Sequence, residues 1–377
     1  MKIPFNKSNI SEEDLENISS LLFNEKVEGG ESPATNFCIN YLKENFNIKE
    51  PLLTTSCTAA LDLIALLLNL KAGDEIIMPS YTFVSTANAF ALRGCTPVFV
   101  DVRKEDFNLD LDLVERAINK KTKALVVVHY GGVACDMEKA KSICRKYNLK
   151  LIEDAAQAVG SKYKNRYLGT IGDMGAYSFH GTKNITCGEG GAILINKSKY
   201  QSRANILYEK GTNRSDFSRG KVSKYNWQDI GSSFILSNFS AFLLKGQLRN
   251  EKNITNERLD IWNYYYDYYS SLEDLENKYR LLEIPGYAKH NGHLFGLVFH
   301  SKDLAQSFLR KMRTDGYEVS KHYVALHSSP YGKKISKTNG DLKVTHEAEN
   351  CFIRLPIWPG IEKEAMLQAS RKILAKL

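Results

Sequence analysis

Residues 149–184 read LKLIEDAAQAVGSKYKNRYLGTIGDMGAYSFHGTKN, and each of two apolar runs in this stretch is followed by polar side chains. The first run, Leu149 to Ile152, leads through Glu153 to Asp154. The second run, Gly175 to Phe179, leads into a polar turn that contains Lys183. In sheets of parallel strands, ligands bind beyond the carboxyl ends of the strands. We therefore expect Asp154 and Lys183 to lie on the same rim of one sheet.

An acid and a lysine on such a rim suit one cofactor, pyridoxal 5'-phosphate (PLP). A lysine amine forms a Schiff base with the cofactor, and a carboxylate keeps the pyridine nitrogen protonated, so that the ring accepts electrons. A lysine in a loop is usually only a solvated charge. The prediction therefore depends on the surrounding sequence.

The chain from residue 50 to 195 alternates between short β-rich runs and helical patterns, which predicts an α/β fold. Such alternation is typical of a mainly parallel sheet that is covered by helices on both faces. Seven strands are predicted, at Leu52–Leu53, Ile76–Met78, Pro97–Val100, Ala124–Val128, Leu149–Ile152, Ala176–Phe179 and Ala192–Ile195. Helices are predicted at Ala59–Leu70, Ser85–Leu92, Leu113–Ile118 and Glu138–Tyr147.

The remainder of the chain has a different character. One or two long helices are predicted over residues 235 to 275, with clustered tyrosines that suit packing or an interface. A compact α+β unit follows, with a strand at Leu294–Phe299, a helix at Asp303–Thr314, a strand at Tyr317–Val319 and a final helix from Glu362. We therefore expect a large cofactor-binding domain over residues 1–250 and a small α+β domain over residues 251–377.

Composition narrows the class of protein. The 377 residues carry a net charge of +8. The lysines are dispersed and no nucleic-acid-binding motif is present, so the positive charge does not indicate nucleic-acid binding. It is better explained by attraction of a small polyanionic substrate or by solubility. Met1–Ser20 lacks the pattern of a secretory signal, and no stretch is apolar enough to span a membrane. Seven scattered cysteines without a C-x-x-C pair fit the reducing cytoplasm. The nearby His290 and His293 have no further ligand motif beside them, so no metal site is expected.

Three segments could surround the cofactor. Small and hydroxyl residues at Thr54–Leu61 stand where a strand passes into a helix, which suits either an anion site or a plain N-terminal cap. Ser178 could add a hydroxyl to the same phosphate, and Phe83 could either stack on the cofactor ring or belong to the core. Gly188-Glu189-Gly190-Gly191 is interpreted as a tight turn into the last strand rather than a phosphate loop.

The order of these motifs resembles the DegT/StrS-type sugar-nucleotide aminotransferases, which have the aspartate-aminotransferase type I fold. The resemblance extends from Ile3 to Pro356. It is carried by Ser-x-Thr-Ala-Ala-Leu at 56–61, Pro-Ser-Tyr-Thr-Phe at 79–83, Glu-Asp-Ala-Ala-Gln at 153–157 and Ser-Phe-His-x-Thr-Lys-Asn at 178–184.

The resemblance implies a role for individual residues. Lys183 would form the Schiff base and Asp154 would pair with the pyridine nitrogen. Gln157 would lie beside the ring hydroxyl of the cofactor and Phe83 against its face. The phosphate would be bound by Cys57, Thr58 and Ser178, and by Ser233 of the partner subunit, where many relatives have asparagine.

Two further segments, at 209–214 and 229–233, are similar to one branch of the family. That branch transfers an amino group, with glutamate as the expected donor, to the 4-keto group of a dTDP-linked 6-deoxyhexose. The product would be dTDP-4-amino-4,6-dideoxygalactose, and the enzyme would be a homodimer with active sites at the interface. The substrate is expected to contact a dispersed set of residues: Tyr81, His180, Arg214, Lys224, His322, Tyr323 and His327.

Other activities remain open from the sequence. Within the cofactor class, the alternatives are the gluco epimer of the product and a 3-keto-sugar aminotransferase. Family members that dehydrate their substrate have histidine in place of Lys183, which argues against that chemistry. A non-catalytic PLP-binding regulator would need a DNA-binding module, and a nicotinamide-dependent epimerase would need a glycine-rich fingerprint after the first strand. Neither signal is present.

Overall fold

A computed structural model describes residues 2–10 and 29–377. Most of the segment Met1–Ser20, from which the absence of a secretory signal was predicted, lies outside the described residues. Within them, no helix has both the length and the apolar character that a membrane crossing requires.

A mixed sheet of mostly parallel strands organises the described residues. Its strand order is β1-β9-β8-β5-β4-β2-β3-β13, and only the pairs of β9 with β1 and with β8 are antiparallel. The strands are β1 Glu50–Thr54, β2 Glu75–Pro79, β3 Thr96–Val100, β4 Thr122–Val128, β5 Lys150–Asp154, β8 Met174–Ser178, β9 Gly191–Ile195 and β13 Lys337–Thr338.

The seven predicted strands are confirmed, and the α/β class with them. The strand that was not predicted is β13, a two-residue strand at the edge of the sheet. It has no apolar signal, because both of its residues are exposed. It is paired with β3, and an ion pair of 2.6 Å joins Lys337 Nζ to Glu75 Oε1 of β2.

Helices cover the sheet, and three of the four predicted for this region agree with the structure to within three residues at each end. The fourth, predicted at Leu113–Ile118, is instead a single α-helical turn at Leu111–Val114 followed by a 3-10 turn at Glu115–Ala117. Along the first 250 residues the α-helices are Pro33–Phe46, Cys57–Leu67, Val84–Ala91, Leu111–Val114, Met137–Lys146, Gln201–Tyr208, Arg214–Ser218 and Asn238–Arg249. Several begin at a capping side chain, as at Asp136, whose carboxylate accepts from the Lys139 amide at 3.1 Å.

Side chains of alternate residues in the central strands pack into two apolar cores, one on each face of the sheet. In β4, Leu125 and Val127 pack into the core on one face, whereas Ala124 and Val126 pack into the core on the other. This period of two is the one that strand geometry imposes. Burial on both faces explains why the central strands read as continuous apolar runs.

The C-terminal part contains a second sheet with its own core. Its antiparallel strands, in the order β10-β12-β14, are Tyr279–Arg280, Phe295–Phe299 and Phe352–Leu355. A third, small sheet has the order β11-β6-β7, with strands Ala288–Lys289, Lys162–Tyr163 and Arg166–Tyr167. The helices of this part are Glu251–Ser270, Lys302–Thr314, Gly332–Ile335, Lys343–Cys351 and Lys363–Leu374.

The helix Glu251–Ser270 links the cores of the two parts. Near its start, Ile254 packs into the core of the large sheet, whereas Trp262 and Tyr265 pack into the C-terminal core. The division of the chain at residue 250 stays a prediction.

The strand predicted at Tyr317–Val319 is wrong. Tyr317 forms a single bridge with Ile3, and Ser320 forms another with Arg354, so this segment connects two neighbours without continuous pairing to either. The apolar character of Val319 reflects burial in the C-terminal core.

A buried carboxylate next to Asp154 stabilises the region that follows β5. Glu153 Oε1 accepts from the amides of Ile171 and Gly172 at 2.6 Å, and Oε2 accepts from Gly169 N at 2.8 Å. His129 lies 2.9 Å from the same carboxylate. Its Nδ1 accepts from the Cys135 amide, so the proton is on Nε2, which donates to Glu153.

We predict that Glu153→Gln lowers the free energy of unfolding by about 3 kcal/mol, because an amide NH₂ would face backbone N–H groups in a buried site. Denaturant unfolding measures the change. Glu44→Gln, at an exposed position of the helix Pro33–Phe46, is the control and should leave stability within about 0.5 kcal/mol of wild type. Equal stability of the two variants would contradict this account of Glu153.

Candidate active site

A cavity of about 480 Å³ lies at the carboxyl ends of β5 and β8. This volume is within the range of about 300–1,000 Å³ that is typical of small-molecule sites. The two ends of the chain both contribute to the wall of the cavity. Phe5 and Asn6 line it together with Leu355 and Ile357 of the C-terminal core. The predicted site residues that line the cavity are Cys57, Thr58, Phe83, Asp154, Gln157, Ser178, His180, Lys183, His322 and Tyr323.

Asp154, the last residue of β5, is buried and fixed by two hydrogen bonds. Thr86 Oγ1 donates to Oδ2 at 2.7 Å, and the Ala156 amide donates to Oδ1 at 3.1 Å. Thr86 is itself 2.9 Å from the hydroxyl of Thr82, one helical turn earlier. The carboxylate therefore has a defined orientation at the wall of the cavity.

Lys183 is held in the turn that follows β8. Its amide donates to His180 O at 2.9 Å, and the Gly181 amide donates to Gly188 O at 2.7 Å. Burial lowers the pKa of the Lys183 amine, while the neighbouring Cys57 and Asp154 oppose that shift and Arg354 adds to it. The amine is therefore neutral over a wider pH range than an exposed lysine.

The start of the helix Cys57–Leu67 also lies at the cavity. Ser56 caps this helix by accepting from the Ala59 amide at 3.0 Å. The amides of Cys57 and Thr58 have no acceptor among the described residues. Thr58 Oγ1 lies 2.7 Å from Ser85 Oγ, and both residues line the cavity with Ser178. Amides at a helix start together with hydroxyls suit a phosphate.

A glycine permits this arrangement. At Gly191, the first residue of β9, an added Cβ would lie 2.5 Å from the carbonyl carbon of Ser56 and closer still to the Cys57 amide nitrogen. The segment Gly188–Gly191 is thus a turn into β9, as predicted, and its last glycine lets the strand approach the helix start.

Aromatic and amide side chains form the remaining wall. Phe83 is 57% exposed, and its ring centroid lies 6.3 Å from that of Tyr323. Gln157 donates through Nε2 to the Tyr323 hydroxyl at 2.6 Å and accepts from the Gly131 amide at 2.6 Å. An exposed aromatic face at the rim of a cavity offers a stacking surface for a flat ring.

The other predicted site residues are not among the residues that line this cavity. Tyr81 is buried behind it, with its ring 5.7 Å from Tyr323 and its hydroxyl bonded to Ala348 O. His327 is bonded to the Ser80 hydroxyl at 2.8 Å. Arg214, Lys224 and Ser233 belong to the segment after the helix Gln201–Tyr208, so their roles stay predictions.

Several wall residues were not predicted. Ser85 and Thr86 could have been found, because they follow Phe83 directly at the start of the helix Val84–Ala91. Arg258, His293 and Arg354 come from three distant segments, and only the fold brings them together. Arg354 belongs to the stretch that carries the resemblance but was given no role.

Comparison with known proteins decides the family. The sequence profile of the DegT/DnrJ/EryC1/StrS aminotransferase family matches residues 9–373. The chain belongs to this family. It is therefore an aminotransferase, and the cofactor of the family is PLP.

Individual relatives agree in length and fold. The uncharacterized protein MJ1066 of Methanocaldococcus jannaschii is 32% identical over 348 residues, which cover 89% of this chain and 88% of that protein. The aminotransferase TlmJ from Streptoalloteichus hindustanus has a TM-score of 0.90 at 25% identity, with full coverage of both chains. DesV of S. venezuelae has a TM-score of 0.86 at 26% identity, with 97% of this chain and 95% of that chain covered.

The residues of the cavity fit PLP. The helix start and hydroxyls match its phosphate, the fixed carboxylate matches its pyridine nitrogen, and Phe83 offers a surface for its ring. The Lys183 amine with its lowered pKa matches the aldehyde that PLP-dependent enzymes bond covalently.

We predict that Gly191→Ala weakens PLP binding at least about tenfold, because the methyl group would displace the helix start that faces the phosphate. Absorbance titration of the apo-protein with PLP measures the affinity. The matched control is Gly286→Ala, where an added Cβ meets nothing within 4 Å, and it should bind PLP as wild type does. Equal affinities for both variants would show that the helix start does not bind the phosphate.

Proposed function

We propose that this aminotransferase converts a dTDP-4-keto-6-deoxyhexose, with L-glutamate as amino donor, into dTDP-4-amino-4,6-dideoxygalactose. The observation that carries the proposal is the pairing of Lys183 and Asp154 on one cavity wall, in a chain of the sugar aminotransferase family. The choice of substrate rests on the two segments, 209–214 and 229–233, that resemble the dTDP-4-amino-4,6-dideoxygalactose transaminases.

Those two segments pack directly against each other. The Asp229 amide donates to Gly211 O at 3.1 Å, the Lys210 amide donates to Ser232 O at 3.2 Å, and Glu209 forms a bridge with Ser233. At Gly211 an added Cβ would collide with Asp229 O. The resemblance therefore falls on one structural unit, which supports a shared role for the two segments.

Bound PLP supplies an electron sink that stabilises negative charge at the α-carbon of the amino acid and at the carbon that receives the amino group. The residues of the chain would bind and orient it: Asp154 would hold a proton at the pyridine nitrogen, and Gln157 would lie at the ring hydroxyl. The Lys183 amine would carry a proton from the donor's α-carbon to the cofactor, and in the second half of the cycle from the cofactor to the sugar carbon that receives the amino group. Because burial lowers its pKa, this amine is neutral, and so able to accept a proton, over a wider pH range than an exposed lysine.

The sugar nucleotide requires neutral and cationic groups. His180, His322 and Tyr323 line the cavity and suit hydroxyl and keto oxygens. Burial, helped by the nearby Arg354, lowers the pKa of His322 well below its usual range, so this ring acts as a neutral hydrogen-bonding group. Arg214 and Lys224 would interact with the diphosphate, for which cationic side chains are the usual partners.

The proposal includes the setting of the enzyme. We place it in the cytoplasm as a homodimer in which Ser233 reaches the phosphate site of the partner subunit. Its product would enter the synthesis of a cell-surface polysaccharide, either enterobacterial common antigen or an O-antigen.

We predict that the PLP-loaded enzyme, given L-glutamate and dTDP-4-keto-6-deoxyglucose, forms dTDP-4-amino-4,6-dideoxygalactose, identified by NMR of the product. Lys183→Ala should lower the rate at least about 10⁴-fold, because the variant loses both the covalent attachment and the base. Its apo-protein should unfold with stability near that of wild type.

Each other outcome of the same assay has a distinct meaning. An equatorial amino group at C4 would show that the product is the gluco epimer and not the galacto sugar. Amination only of a 3-keto sugar would move the reaction to C3. PLP binding without turnover of any sugar nucleotide would favour a non-catalytic regulator and would contradict the proposal.

A further inference from the structure

Two histidine side chains face each other outside the active-site cavity. The Nε2 atoms of His327 and His346 lie 3.3 Å apart, with 4.9 Å between the ring centroids and an angle of 71° between the ring planes. His327 belongs to the 3-10 turn Leu326–Ser328, and His346 belongs to the helix Lys343–Cys351. Neither is among the residues that line the cavity, and the proposed mechanism assigns no step to either.

His327 is held in place by Ser80, the residue that follows β2. The Ser80 hydroxyl accepts from the His327 amide at 3.0 Å and lies 2.8 Å from the ring Nδ1. The Leu326 amide donates to Ser80 O at 3.1 Å, so the backbone of the turn is bound as well. These contacts engage one nitrogen of the ring and leave the other, Nε2, beside His346.

The helix that carries His346 is anchored at its start. The Asp101 carboxylate accepts from the amides of Val344 and Thr345 at 3.0 and 2.8 Å. One turn after His346, a carboxylate oxygen of Glu349 lies 3.9 Å from the ring Nδ1. The ring nitrogen with an oxygen beside it is again Nδ1, and the nitrogen that faces the other histidine is again Nε2.

The distance between the two Nε2 atoms is that of two ligands on a tetrahedral metal ion. Zn²⁺ binds imidazole nitrogen at about 2.0–2.1 Å, so two such nitrogens at the tetrahedral angle lie about 3.3–3.4 Å apart. Ligands at the right angles and short bonds that Mg²⁺ requires would lie about 2.9 Å apart. As a hydrogen bond between the rings, 3.3 Å would be long, since N–H···O bonds are mostly about 2.9–3.0 Å.

The surroundings of the two rings resemble the outer shell of a metal site. A histidine that binds a metal usually donates its other ring N–H to an oxygen, which fixes the ring and its tautomer. The hydroxyl of Ser80 and the carboxylate of Glu349 provide such oxygens at the two Nδ1 atoms. The charged groups that act electrostatically on His327 are Asp101 and Lys333, which have opposite signs, so the local charge does not repel a cation.

We propose that His327 and His346 bind a zinc-class divalent metal ion through their Nε2 atoms. Imidazole ligands suit Zn²⁺, Ni²⁺ and Cu²⁺, whereas carboxylates and carbonyls suit Mg²⁺ and Ca²⁺. Among residues 2–10 and 29–377, no third His, Cys, Asp or Glu side chain completes a metal-binding group. Water molecules therefore supply the remaining ligands of the ion.

A metal ion at this position connects three parts of the fold. It joins the helix Lys343–Cys351 to the turn Leu326–Ser328 and, through Ser80, to the end of β2. His322 and Tyr323, which line the cavity, precede this turn on the same segment. The metal thus stabilises the segment that carries part of the cavity wall, without contact to the reacting groups.

The test is the binding of Zn²⁺ and Co²⁺ to the tag-free, PLP-loaded protein, measured by calorimetry and by the visible absorbance of Co²⁺. His346→Ala should lower the affinity at least about tenfold, because even the loss of an outer-shell partner of a metal ligand costs about 10–100-fold. The matched control is His300→Ala, which removes another exposed histidine and should bind metal as wild type does. Metal binding at the cofactor or at cysteines is common to all three proteins, so the difference between the variants isolates the pair.

Thermal unfolding gives a second measurement. A ligand that binds the folded state stabilises it, so Zn²⁺ should raise the Tm of wild type and of His300→Ala more than that of His346→Ala. Mg²⁺ should leave the Tm of all three proteins unchanged, because it prefers oxygen ligands. His346 is exposed, so its replacement should leave the fold intact.

Two results would overturn the proposal. One is equal metal affinity of His346→Ala and His300→Ala, and the other is half-saturation of wild type only above about 1 mM metal. Either result would leave the pair as a hydrogen bond between two neutral rings. The measurements need neither amino donor nor sugar nucleotide, so their outcome is independent of the proposed sugar substrate.

Discussion

The register of three parallel strands brings Asp154 and the turn that holds Lys183 to one rim of the sheet. Strands β4, β5 and β8 run side by side, with Val128 paired to Asp154 and Asp154 paired to Ala176. Their carboxyl ends therefore meet at one rim, where Asp154 faces the turn that holds Lys183. A shift of β5 by one residue would exchange Asp154 with Glu153 and turn the required carboxylate away from the cavity.

Adjacent carboxylates in β5 consequently have different tasks. Glu153 points away from the cavity and is saturated by three backbone amides and His129, so it fixes the loop that follows the strand. Asp154 points into the cavity and is held by only one hydroxyl and one amide. The alternation of side chains along a strand therefore directs Glu153 to structural support and Asp154 to the cavity, where we propose that it binds the cofactor.

Much of this arrangement was predictable from local sequence. The apolar runs gave the central strands, because strands buried on both faces lack polar interruptions. Asp154 and Lys183 follow such runs directly, so the rule for ligands at carboxyl ends located them. Residues such as Arg258, His293 and Arg354 could not be located in this way, since each reaches the cavity through tertiary packing. The edge strand Lys337–Thr338 also has no periodic signal, because exposed strands of two residues carry none.

The central claim is that Lys183 is the residue that holds the cofactor. Borohydride reduction of the PLP-loaded protein makes the bond between lysine and cofactor permanent, and peptide mapping by mass spectrometry then identifies the labelled residue. The account predicts a single pyridoxyl group on the peptide that contains Lys183. A label on a different lysine, or PLP that dialyses away after reduction, would contradict it.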